Sequence, residues 1–168
     1  MSLLRDRPLA LVVTIDAAAW AAVQVGTGYL VHRLPVRRLD HDGWLWRARP
    51  FERGGRFYTD VLRIRRWKDL LPEAGALFEG GFGKRRLRGA SPADLDRFAV
   101  ETRRAELGHW LAVLPTPLFV WANPPLLAPF MAAYPLLVNG PCIAAQRHNR
   151  IRLRRAAARA AGRLRPPA

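Results

Sequence analysis

Thiols and acidic side chains are both scarce in this sequence. It holds one cysteine, Cys142, in an apolar run, which excludes a disulfide framework and any zinc site built on cysteine. That thiol reads as buried and inert. Thirteen Asp and Glu stand against 28 Lys and Arg, a net charge of +15 that points first to nucleic acid or an anionic surface. Three catalytic signatures are also missing: there is no Gly-x-Ser-x-Gly elbow, no His-x4-Asp motif and no dinucleotide fingerprint. Any chemistry must therefore be read from single side chains and their spacing.

The charge is unevenly spread, so a mean hydropathy near zero averages two kinds of sequence. From Pro8 to Val31 the only ionisable residue before Tyr29 is Asp16, and the stretch is long enough to cross a hydrocarbon core of about 30 Å as a helix. A signal peptide is the competing reading; the block is long for an h-region and no small-x-small cleavage site follows Tyr29, so an uncleaved anchor is expected. Between Glu106 and Arg147 no Asp, Glu, Lys or Arg occurs, about twice the length of one span. Asn123-Pro124-Pro125 near its middle predicts a turn, because proline removes a donor and fixes φ. The expected fold is an all-α integral membrane protein in one domain. It comprises an N-terminal transmembrane helix (8–31), a cytoplasmic and interfacial helical region (33–106), a Pro-broken hairpin (107–145) and a basic tail (147–168). The first arm, 107–122, either spans or re-enters. Basic residues crowd 33–106 and the tail, so both are expected on the cytoplasmic side of a bacterial cell membrane and the N-terminus outside. Anionic lipid headgroups then account for the charge without nucleic acid.

Within the basic region, Phe57, Val61, Ile64, Trp67 and Leu71 recur at helical spacing, which predicts an interfacial helix ended by Pro72. Alternation across Val61–Arg65 is the strand alternative. A second helix should start at Ser91-Pro92-Ala93-Asp94, with serine at the N-cap, proline at N1 and an acid at N3. Leu95, Phe98, Ala99 and Thr102 define its apolar face. At about 100° per residue Glu106 and His109 share that sector, Arg104 points away, and Glu101 and Arg103 flank it.

A carboxylate and an imidazole on a buried face are costly unless paired or used. In the catalytic reading His109 is a general base, with Glu106 or Glu101 orienting its ring. In the structural reading Glu106 and His109 pair with arginines from other segments. A carboxylate-bridged metal site needs further inward ligands that the apolar segments do not supply, so neither metal nor cofactor is expected. Arg104, Arg147, Asn149 and Arg150 are candidates for gripping phosphate on an acyl donor or a lipid, since planar guanidinium forks suit phosphate oxygens. The bland reading of Arg147 and Arg150 is a topology signal closing the final membrane helix, for which Gln146 and Asn149 are not needed. Gly80-Gly81-Phe82-Gly83-Lys84 is a possible anion nest, though without P-loop spacing.

The block Glu101-Thr102-Arg103-Arg104-Ala105-Glu106-Leu107-Gly108-His109-Trp110 stands with Trp67-Lys68, Leu114-Pro115, Asn139-x-Pro141 and Gln146-Arg147-x-Asn149-Arg150-x-Arg152-Leu153. Together, over Phe57 to Leu153, they resemble the glycosyl-4,4'-diaponeurosporenoate acyltransferase family. The resemblance implies an enzyme that esterifies a fatty acyl group, taken from an activated donor such as acyl-CoA, onto a sugar hydroxyl. The acceptor it implies is a glycosylated carotenoid or a related glycolipid. It carries no residue roles, which rest on the helix geometry alone. The alternative from another class is a non-catalytic, anionic-lipid-binding scaffold of a membrane pigment pathway.

Overall fold

The computed structural model describes residues 3, 4, 6–71 and 92–163. Among them the fold is helical without a strand: α1 is Leu9–His32, α2 is Pro92–Val113, α3 is Thr116–Ala122 and α4 is Ala128–Arg163. Helix α2 packs along α4, α1 lies against α2, and α3 folds back on α4. The all-α expectation holds for these residues. Gly108 sits at a close approach of α1 and α2; a Cβ there would come within 3.2 Å of Val31.

The helix breaks fall where proline dictates. Helix α2 begins at Pro92, ends ahead of Pro115, and α3 stops at Asn123 before Pro124-Pro125. Ser91, Pro72 and the glycine-rich stretch at 80–84 lie outside the described residues. Helix α2 runs on through Glu106 and His109, as the shared face of those two residues requires. The basic segment from Arg147 continues α4 as helix to Arg163. Arg154 is held there by an ion pair with Asp42.

The interfacial helix expected over 57–71 is corrected. The segment is a π-helical turn, Phe57–Val61, followed by 3₁₀ turns at Ile64–Arg66 and Lys68–Leu70. Arg63 lies in the left-handed region at φ 48°, which no α-helix of L-residues can pass through. The strand alternative is absent as well. Most of the apolar stripe still faces one way: Tyr58 and Ile64 are buried against Ala145, with Phe57, Trp67, Leu71 and Ile151 packed around them. Val61 is exposed. A second core joins Leu39, Trp46 and Val100, so the polar connection between α1 and α2 is pinned to both α2 and α4.

Its sharpest bend is at Arg53-Gly54-Gly55, all with positive φ. A Cβ on Gly55, at φ 99°, would lie 3.3 Å from Ile151. Gly55→Ala is therefore expected to cost about 1–3 kcal/mol through backbone strain and contact with α4. A thermal melt of the purified protein would read this, and an unchanged midpoint would refute the close approach.

Two helices, Leu9–His32 and the Ala128–Arg159 part of α4, are long and apolar enough to cross a membrane. Among the described residues little of either is buried, at 17% and 22% of their most apolar windows. Leu11, Val13, Val25, Leu30, Phe130 and Leu137 all project outward.

Candidate functional site

Two polar clusters lie along the contact between α2 and α4, and the sequence reading had merged them. The first centres on Glu106, which has no solvent exposure. Its Oε1 accepts from Arg147 Nη1 at 2.8 Å, and Oε2 lies 2.6 Å from Arg150 Nη2. The second is a close charge contact whose N–H is not aligned on the oxygen. Arg147 Nε also donates to Glu52 Oε1 at 2.8 Å, while its Nη1 and Nη2 reach the carbonyls of Leu45 and Arg47 at 2.9 and 3.0 Å. Four of the five guanidinium N–H groups are thus used. Two carboxylates and two guanidiniums make a neutral buried cluster joining α2, α4 and the connection.

Glu52 is the least expected member, since it stands alone in an arginine-rich loop. Burial alone would raise its pKa. Hydrogen bonds from Arg147, from the Tyr58 hydroxyl at 2.5 Å and from the Arg49 backbone N–H outweigh that and hold it below the usual carboxylate range. Burial and the Glu52 carboxylate push Tyr58 up, so its hydroxyl remains a donor. The signal that could have found Glu52 is charge balance: a buried arginine in a helix must meet an acid from elsewhere in the chain.

The second cluster centres on His109. Its Nδ1 lies 2.9 Å from Asn139 Oδ1. Asn139 is fully buried and its Nδ2 donates to the Pro135 carbonyl at 3.0 Å, which fixes the amide so that Oδ1 must be the acceptor toward His109. Gln24 of α1 adds a longer contact to the same oxygen at 3.4 Å. Nδ1 therefore carries a proton, and in the neutral ring Nε2 keeps its lone pair. Nε2 has no protein partner among the described residues, yet it is not among the buried unpartnered atoms, so it reaches the molecular surface. A half-buried neutral imidazole with a fixed tautomer and an accessible lone pair can accept a proton.

The expected pairing of His109 with Glu106 or Glu101 is not made. Glu106 is engaged by α4 arginines, and Glu101 pairs with Arg104 at 3.2 Å. Three residues on a helix separate side chains by about 60° in azimuth and one turn in height, enough to give them different partners on α4. Arg104 points away from the Glu106 and His109 sector, toward the end of α1. Its Nη1 donates to the carbonyls of Val31, His32 and Leu34, so the cation sits at the negative end of α1. Glu101 and Arg104 line an open cleft of about 850 Å³ together with His32, Asp40, Asp96 and Arg103. Arg150 keeps Nη1 without a partner, but that atom is buried. Asn149 is half-buried on α4 and contributes no hydrogen bond to the carboxylate cluster. No group of metal-ligating side chains is present among the described residues.

A family model described as glycosyl-4,4'-diaponeurosporenoate acyltransferase matches residues 42–159. The protein of that name from Staphylococcus aureus (strain USA300) is 29% identical over 134 residues, covering 80% of this chain and 81% of that protein. The protein of the same name from Staphylococcus haemolyticus (strain JCSC1435) is 31% identical over 139 residues, covering 83% and 81%. No solved structure matches the chain.

Proposed function

The chain belongs to the glycosyl-4,4'-diaponeurosporenoate acyltransferase family and is an acyltransferase, and we propose that it esterifies a fatty acyl group onto a sugar hydroxyl of a glycosylated carotenoid within a membrane. The observation that carries the mechanism is the Asn139–His109 hydrogen bond, which leaves Nε2 free to accept. The sugar O–H gives its proton to Nε2 as its oxygen attacks the acyl carbonyl carbon. With a thioester donor such as acyl-CoA, the ester C–O bond forms, the C–S bond breaks, and the imidazolium returns its proton to the departing thiolate. His109 is the catalytic residue in this scheme; Asn139 positions it. Glu106 and Arg147 hold α2 and α4 in register beneath it, and Glu101 and Arg104 wall the polar cleft.

Membrane residence is supported by the two long apolar helices whose outward faces the protein leaves uncovered. The aromatic pair Trp20 and Phe119, stacked at 4.0 Å, and the buried Asp16–Asn123 hydrogen bond at 3.0 Å close the bundle between α1 and α3.

Expression of the full chain in cells that make the glycosylated carotenoid but lack its acyltransferase, followed by mass analysis of the pigments, tests the reaction. An acylated glycoside is expected. An unchanged glycoside pool, with the protein present in the membrane, would favour the scaffold reading. For the positioning role, Asn139→Ala is expected to lower kcat about tenfold with little change in KM, since it frees the ring to rotate and exchange tautomers. A purely structural Asn139 would lower the amount of folded protein and leave kcat per folded molecule unchanged.

A further inference from the structure

The arginines expected to hold phosphate are spent on carboxylates and carbonyls. Three others are not. Arg63, Arg65 and Arg66 are exposed on one short turn and, with Thr59 and Asp60, line an open cleft of about 330 Å³. Among the described residues none of the three has a carboxylate ion pair. Asp60, the one acid in the lining, accepts from the Thr59 hydroxyl at 2.7 Å. Three guanidiniums against one carboxylate leave the lining with a net positive charge.

The turn is built to present these side chains. Arg63 sits at φ 48°, ψ 39°, a conformation that costs a non-glycine residue about 1–2 kcal/mol. The strain persists because both flanks are fixed. Ile64 is wholly buried, and the Trp67 indole N–H donates to the Leu62 carbonyl at 2.8 Å. Backbone bonds from Arg66 to Arg63 and from Trp67 to Ile64 close the turn. With the apolar residues turned inward, the three guanidiniums are left around one opening. Planar guanidinium forks lining one small open cleft suit the oxygens of a phosphate, with charge assistance.

We propose that Arg63, Arg65 and Arg66 form a phosphate-binding site separate from the Glu106 cluster; its donor alternative rests on the acyl-transfer reading, and its headgroup alternative does not. The phosphate belongs either to a soluble acyl donor or to an anionic lipid headgroup, and the test separates the two. Full-length protein in an uncharged maltoside detergent is titrated calorimetrically with coenzyme A in one arm and dihexanoylphosphatidylglycerol in the other. Dihexanoylphosphatidylcholine, whose phosphate is neutralised by its own choline, is the control. Saturable binding to at least one of the first two is expected, weakening with salt. The Arg63→Gln/Arg65→Gln/Arg66→Gln variant should bind that ligand at least about tenfold more weakly. Loss of coenzyme A binding identifies a soluble donor; loss of phosphatidylglycerol binding identifies a headgroup. The triple lysine variant keeps the charge and should lie between the two, which also serves if the glutamine variant does not fold. Binding to neither ligand, or equal affinity in wild type and both variants, overturns the site.

Discussion

His109→Gln is expected to accumulate as folded protein and to turn over about 10²–10⁴-fold more slowly than the wild type. A sugar hydroxyl is a weak nucleophile near neutral pH, so a base in reach of its proton should carry a large part of the rate. Glutamine keeps the size and polarity needed to meet Asn139 and has no lone pair basic enough to take the proton. The pH profile separates catalysis from structure. Wild-type turnover should rise with pH as the imidazole loses its proton, because only the neutral ring accepts. That limb should vanish in His109→Gln. The double variant with Asn139→Ala should be little slower than His109→Gln alone, since Asn139 acts only through the ring. Wild-type turnover in folded His109→Gln would sink the general-base role. Should that variant not accumulate, Asn139→Ala carries the same question through its kcat.

The breaks in the helices were partly legible, because proline disfavours a helix interior. Pro92, Pro115 and Pro124-Pro125 stand at helix ends, whereas Pro135 and Pro141 lie inside the continuous α4. The 57–71 segment was not legible in this way. Its apolar spacing fits a helix, and nothing in the sequence announces that Arg63, rather than a glycine or asparagine, takes the left-handed turn. The site divides along the same line. That Glu106 and His109 occupy one face of α2 follows from helical period, but their partners lie far along the chain: Asn139 is 30 residues from His109, and Glu52 is 95 from Arg147. A signal for Asn139 was present all the same. An amide in a long uncharged stretch must find a partner, and His109 was the one titrating side chain in that stretch. For Arg104 and Arg147 the sequence offered charge and position only. Arg104 faces the carbonyls that end α1 and Arg147 faces carbonyls of the connecting segment, which no residue pattern encodes.

The buried cluster around Glu106 should dominate stability. Removing one partner of a buried pair leaves an uncompensated charge and costs about 3–5 kcal/mol, whereas replacing the whole pair by apolar groups costs little. Glu106→Gln keeps the shape, but leaves Arg147 and Arg150, 11% and 3% exposed, with only the Glu52 carboxylate between them. The apparent melting temperature of the full-length protein is expected to fall by on the order of 10 °C. Glu52→Gln should cost less, because Arg147 keeps Glu106, while Arg150 is untouched. The two losses should not add, since both act on Arg147. Acid provides the second readout. Because the folded-state pKa of Glu52 is lowered, its contribution is fully present above the ordinary carboxylate pKa and is lost as pH falls through the lowered value. Glu52→Gln should therefore flatten that part of the acid limb, narrowing the stability gap to wild type as pH falls. If Glu106→Gln melts within about 2 °C of wild type at neutral pH, the cluster does not hold α2 to α4, and the arginines of α4 are free for the phosphate role first considered for them.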